Sequence, residues 1–167
     1  MLDVIRNRRS IRMYTGEPVP MEALESILRS AMQAPTARNL QPWEFVVVTD
    51  RDSLRRIPDH HPYSSMVPDA AAAVLVCGNT ELQKDPGYLS QDCSAAVQNM
   101  LLQAVAEGLG TVWLGVYPNP DRMEGMSRLF GLPEHVLPMA LISIGVPGEE
   151  IVFDDRFDPA KVHIETW

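Results

Sequence analysis

Cysteine and lysine are both rare in this 167-residue chain: Cys77 and Cys93 are the only thiols, and Lys84 and Lys161 the only lysines. Two separated thiols cannot build a four-cysteine iron–sulfur or zinc centre. Their apolar and small-residue surroundings read as those of buried free thiols. No H-E-x-x-H or repeated Cys/His spacing offers another zinc site. His60-His61 is the remaining pair that could take a metal, and adjacent histidines on a proline-bearing loop read as solvent-exposed; no metal is expected. A G-x-S-x-G elbow is missing, which excludes the usual α/β-hydrolase nucleophile. So is a phosphate loop of the G-x-x-x-x-G-K-[ST] type. Gly108-Leu109-Gly110 with Gly115 imitates a dinucleotide fingerprint, but it follows a helix and precedes a strand, the reverse of the required order. Its glycines read as a helix stop and a chain reversal.

Long apolar runs are lacking too. The longest, Val136 to Val146, falls short of the ~20 residues a membrane span needs. Asp3 and Arg6 interrupt any secretory leader, so a soluble, cytoplasmic protein is expected. Net charge is −8, which argues against a nucleic-acid partner, because neutralising phosphates needs a basic surface. The apolar share of 46% and charged share of 22% are those of a globular protein. With no repeat, linker or low-complexity segment, residues 1–167 read as a single domain.

The spacing predicts a short helix over Leu2 to Arg9 and an amphipathic helix over Met21 to Gln33, with Leu24, Ile27, Leu28 and Ala31 on one face. Trp43 to Thr49 reads as a buried strand. Asp50 to Ile57 reads as a short helix capped by Asp50. Further strands are expected at Ala71 to Cys77, Thr111 to Tyr117 and Met139 to Val146, and a helix at Asp121 to Phe130. Gln91 to Leu109 is the strongest helix signal, apolar round so much of its girth that it belongs at the centre of the fold. Asn79 to Leu89 and His60 to Pro68 read as loops. The tail from Pro147 carries Phe153, Phe157, Val162, Ile164 and Trp167, too many large apolar residues for a solvated end. The mixture is α+β, a small mixed sheet flanked by helices with an extended C-terminal tail.

Four arginines, Arg6, Arg8, Arg9 and Arg12, fall within seven residues of an acidic chain. Either this is a solvated charge run or it is an anion site. Guanidinium groups grip phosphate bidentately, and Ser10 adds a hydroxyl donor. Arg8 and Arg12 would share a face if the first helix ran on. In 35–43, Asn39 and Gln41 put amides, which both donate and accept, ahead of a rigid strand. That suits the edge of a flat heterocycle, or is simply a turn beside an indole. Arg156 is a further cation or a surface charge.

These segments together resemble the nitroreductase family of FMN-dependent oxidoreductases. The matching motifs are R-R-S-I-R (8–12), P-T-A-R-N-L-Q-P-W-E-F-V-V-V (35–48), the run from D-C-S-A-A-V to G-T-V-W-L-G (92–115), L-I-S-I-G-V-P-G-E (141–149) and D-R-F-D-P-A-K-V-H-I-E-T-W (155–167). They occur in family order over nearly the whole chain. The resemblance implies a nitroreductase-like fold and a homodimer with two FMN sites at the subunit interface. It implies that Arg8, Arg9, Ser10 and Arg12 hold the phosphate and the pyrimidine edge, that Arg156 returns to the phosphate, and that Trp113, Leu114 and Gly115 line the isoalloxazine. Pro35, Thr36, Ala37 and Asn39 would reach the FMN held mainly by the other subunit, and the central helix would supply dimer contacts. The implied chemistry is ping-pong hydride transfer from NADH or NADPH to a small-molecule acceptor such as a nitroaromatic or quinone, with no side-chain acid or base assigned. The same motifs would serve a protein that stores or senses FMN without turnover. The chain departs from the family at Ala37, where many members carry a hydroxyl, and at Gly115, where several larger members have an acidic residue.

Overall fold

The structure, a computed structural model, describes residues 1–152 and 155–167; Phe153 lies outside the described residues. Helix α1 spans Asp3–Asn7, α2 Met21–Ala31, β1 Trp43–Val48, α3 Arg51–Arg56, β2 Ala72–Asn79, α4 Pro86–Ala106, β3 Gly110–Gly115, α5 Pro120–Phe130 and β4 Val136–Gly145. The four strands form one sheet in the order β1-β2-β4-β3.

All three strand pairings are antiparallel. This corrects the expected mixed sheet. Parallel pairing among the described residues is confined to an isolated bridge from Ser10 to Thr111. Helix α4 carries the chain from β2 to β3 on the far side of β4, so β2 and β3 run the same way without being neighbours and β4 lies between them, antiparallel to both.

The period-two alternation of β2 divides the core. Ala72, Val74 and Val76 pack with α2 and α4 on one face. Ala73, Leu75 and Cys77 pack with Leu54, Ile57, Val67 and Met126 on the other. Pro138 occupies a central strand without breaking it. Register shifts between Val76 and Cys77, whose partners are Ala140 and Pro138, so the residue lacking an N–H sits at a bulge. Cys77 and Cys93 are buried and free, as expected.

Helix α4 begins at Pro86, five positions before the expected Gln91. Asp85 caps it, accepting the N–H groups of Gly87 at 2.8 Å and Tyr88 at 3.1 Å. An acidic N-cap followed by proline is a helix start, so the loop expected over Asn79 to Leu89 ends at Asp85. Asp50 and Asn119, before α5, likewise cap their helices through side-chain oxygens that accept the N–H groups of Ser53 and Arg122. Gly108 closes α4 with a left-handed φ of 73°, the usual role of glycine past a helix end. Among the described residues no helix is long and apolar enough to cross a membrane.

Candidate functional site

The arginine segment is not helical. Helix α1 stops at Asn7, and Arg8 is already extended at φ −58°, ψ 121°, so Arg8 and Arg12 share no helix face. Tertiary pairing overrides local propensity here: Ser10 bridges the edge strand β3 at Thr111, and the Ile11 N–H donates to the Thr111 carbonyl at 2.9 Å. Ile11 is buried against Gly110, where an added Cβ would stand 2.8 Å from its side chain. The Tyr14 hydroxyl donates to the Ile11 carbonyl at 2.9 Å and, with that proton committed, accepts from the Ser143 hydroxyl at 2.6 Å. Burial pushes its pKa up to about 12. Glu149 completes the anchorage, accepting the N–H groups of Arg12 at 2.6 Å and Met13 at 3.0 Å.

This anchoring sets Arg8 and Arg9 against the tail. Ile5, Arg8, Arg9, Ile151, Asp155, Arg156 and Phe157 line an open cleft of about 560 Å³, its three arginines opposed by one carboxylate, Asp155, which accepts the Phe157 N–H at 3.1 Å. Burial, then the charges of Arg9 and Arg156, lower the Arg8 pKa. Like charges drawn together in this way are the setting into which an anion fits. The Arg9 guanidinium is aimed by the carbonyls of Arg6 at 2.8 Å, Arg8 at 2.6 Å and Val152 at 3.3 Å. Arg12 stands outside that cleft, its guanidinium donating to the Ser10 carbonyl at 3.3 Å.

Downstream of the Ser10 bridge the edge of β3 is open. Because Thr111 turns its carbonyl away from β4, alternation turns the N–H and C=O of Trp113 and Gly115 the same way. Trp113 is 38% exposed. Leu114 is different: its side chain is buried in the core and its amide faces β4. The Gly115 carbonyl accepts two donors, His61 Nε2 and Arg122 Nη1, each at 2.9 Å. His61 is therefore not the exposed loop histidine expected; it is 2% exposed. Its Nδ1 accepts the Tyr63 N–H at 3.3 Å, which assigns the proton to Nε2. Burial lowers its pKa, and the Arg122 charge adds to this.

At the opposite edge of the sheet, the loop before β1 is conformationally strained. Arg38, Asn39 and Gln41 have φ of 57°, 56° and 50°, left-handed values that non-glycine residues seldom adopt outside functional sites. Gln41 N–H donates to Thr36 Oγ1, and Gln41 Nε2 to Asn39 Oδ1, both at 3.1 Å. The Ala37 N–H donates to Asp92 Oδ1 at 2.9 Å. Pro35 and Asn39 are exposed, Thr36 and Ala37 half-buried.

A profile of the nitroreductase family matches residues 5–75 and 60–146. The chain belongs to the nitroreductase family. It is 49% identical over 167 residues to a Methanothermobacter thermautotrophicus protein named NADH dehydrogenase/NAD(P)H nitroreductase, covering all of this chain and 87% of that one. The fold matches a Clostridium acetobutylicum protein named NADH oxidase with a TM-score of 0.95 at 40% identity, over 99% of this chain and 100% of the other. It also matches a Desulfovibrio desulfuricans nitroreductase solved in complex with FMN, with a TM-score of 0.85 at 32% identity over 99% and 96% of the two chains.

Within this nitroreductase, Arg8, Arg9 and Arg156 come together, and Ser10 ties them to the strand of Trp113 and Gly115. Residues 35–39 stand apart, across the sheet. Sequence reasoning missed His61, Arg122, Asp92, Tyr14 and Glu149. His61, Asp92 and Glu149 act through backbone groups 54 or more residues away, Arg122 and Tyr14 through carbonyls seven and three residues back, and no spacing pattern signals such a bond.

Proposed function

We propose that the chain is an FMN-dependent oxidoreductase, a cytoplasmic homodimer using NADH or NADPH. The observation that carries this reading is the continuity of two features along one sheet edge. A cationic cleft built by Arg8, Arg9 and Arg156 leads, through the Ser10–Thr111 bridge, onto the open backbone of Trp113 and Gly115. From Thr111 to Gly115 that edge runs about 14 Å at roughly 3.4 Å per residue, a span that suits a flat ring joined by a short chain to a phosphate.

The residues fit FMN. Arg8, Arg9 and Arg156 would hold the phosphate, with the Ser10 hydroxyl as a further donor. Arg12 would serve the pyrimidine edge, and Trp113 and Gly115 the isoalloxazine. Leu114 would contribute by seating that strand in the core. A Cβ built on Gly115 meets nothing within 4 Å, so that face of the strand is unobstructed at Gly115.

Bound FMN supplies hydride chemistry of the ping-pong kind, from the nicotinamide to a nitroaromatic, quinone or similar electron-poor acceptor. The protein's part is to orient and to place charge: the arginines set the phosphate end, and the β3 edge presents fixed donors and acceptors to the ring. Pro35, Thr36, Ala37 and Asn39 precede β1, three strand spacings or about 14 Å across the sheet from β3. This separation favours their acting on the FMN of a second subunit. Exposure of Phe157, Ile164 and Trp167, the last at 99%, favours a partner over the tail.

Purified protein should be yellow, dimeric by light scattering, and bleached rapidly by NADH or NADPH in stopped-flow mixing. Protein that cannot be reconstituted with FMN would sink the reading. Yellow protein that neither nucleotide bleaches would be a flavin store or sensor.

A further inference from the structure

We infer that His61 and Arg122 are positioning residues that lock the Gly115 peptide, so that its N–H meets the ring of FMN in one fixed direction; this rests on the flavin reading above. Gly115 is the last residue of an edge strand and has no side chain to hold it. Glycine explores more backbone conformations than any other residue, so an unsupported Gly115 would present its amide in many orientations. Three bonds remove that freedom. Its carbonyl accepts His61 Nε2–H and Arg122 Nη1–H, both at 2.9 Å. On the other side of the same peptide unit, the Val116 N–H donates to the Met139 carbonyl at 3.2 Å. The Leu114–Gly115 peptide is already held by the ladder to β4, so with the Gly115–Val116 peptide fixed as well, both torsions of Gly115 are set and its N–H keeps one direction.

The two donors are supported in their turn. His61 is buried, and the Tyr63 N–H on Nδ1 keeps its proton on Nε2. Arg122 lies in the first turn of α5, where Asn119 accepts its backbone N–H at 3.1 Å, and its guanidinium lies 5.1 Å from the centre of the Tyr63 ring. The 60–63 turn and the start of α5 thus converge on one carbonyl, at the point where the departure from the family, glycine in place of an acidic side chain, leaves the backbone as the group available to the ring. A merely structural histidine would need only some buried acceptor. This one shares its acceptor with a cation, on a residue whose amide points, like that of Thr111, away from β4.

The test compares wild-type protein with His61→Leu, His61→Gln and Arg122→Met, each stripped of FMN and titrated with it. Binding is followed by quenching of flavin fluorescence, the holoproteins by visible spectrum and midpoint potential. His61→Leu should weaken FMN binding about fivefold to tenfold, the worth of one hydrogen bond, and shift the flavin absorption bands. His61→Gln, which keeps a donor at the same reach, should restore both. Arg122→Met should lower the midpoint potential, since a nearby cation favours the more negative, reduced ring. A His61→Leu protein with wild-type FMN affinity and bands, altered only in melting temperature, would overturn the inference. If that variant does not fold, Arg122→Met decides alone, and wild-type affinity, spectrum and potential in it overturn the clamp. Wild-type apoprotein that takes up no FMN overturns the flavin reading itself, a failure separable from the first two.

Discussion

Asp92, inside helix α4, accepts the backbone N–H of Ala37 at 2.9 Å while its own Oδ2 is buried with no partner among the described residues. At 5% exposure a half-satisfied carboxyl is costly to bury. It ties α4 to a loop with three left-handed non-glycine residues. Asp92→Ala should free that loop and leave the Ala37 N–H without its acceptor, weakening FMN binding and costing about 1–3 kcal/mol of stability. Asp92→Asn keeps an acceptor oxygen and should stay near wild type in denaturant melts and FMN titration. Equal behaviour of the two variants would show that the bond does not hold the loop.

The arginines should not contribute equally. Arg8 lines the cationic cleft and Arg12 does not. Arg8→Ala should therefore reduce FMN affinity by about 1.5–3 kcal/mol, the range for hydrogen bonds to charged groups, with Arg12→Ala losing less. Calorimetric titration of both variants would check the order. Identical wild-type affinities would return the cluster to a solvated charge run.

Gly110→Ala would push a methyl to within 2.8 Å of Ile11 Cγ2. Overpacking of this kind typically costs about 1–3 kcal/mol. Because Ile11 neighbours the Ser10 bridge, FMN affinity should fall together with the denaturation midpoint. A variant destabilised but unchanged in FMN affinity would separate the bridge from the site.

His61 gives stability a defined dependence on pH. Burial holds its pKa below the ordinary 6.5 of the unfolded chain, so between those two values the unfolded state binds more protons. Stability then rises with pH through that window and levels off above about 6.5. On acidification the contribution is lost as pH falls from about 6.5 to the folded value. Denaturation midpoints measured from pH 7.5 to 5 should show this loss, and it should be smaller in His61→Gln.

Much of the site was legible because its signals are local. The charge reversal at 8–12, the amides of 35–43 and the ordered motifs need no knowledge of distant contacts; the β-branched and aromatic run of 43–48 announces a strand, though β1 lies at the sheet edge with only Val48 buried, and the apolar girth of α4 announces a buried helix. What failed were readings that treated local propensity as final. Helix α1 was expected to run to Arg9 because nothing near it says that Ser10 will pair with Thr111. The loop expected over Asn79 to Leu89 gives up its last residues to α4, because Asp85 and Pro86 make a helix start. His60-His61 looked solvated because the carbonyl that captures His61 lies 54 residues away.

The strands and main helices, the α+β mixture, the family resemblance and the cationic segment follow from composition, periodicity and motif order, which are properties of the chain. Only the tertiary structure decided that the sheet is wholly antiparallel, that Arg8 and Arg156 meet while Arg12 turns elsewhere, and that His61 and Arg122 converge on Gly115. These depend on backbone groups satisfied across long stretches of chain. Every peptide unit carries the same donor and acceptor, so nothing in the sequence marks which one a given side chain will find.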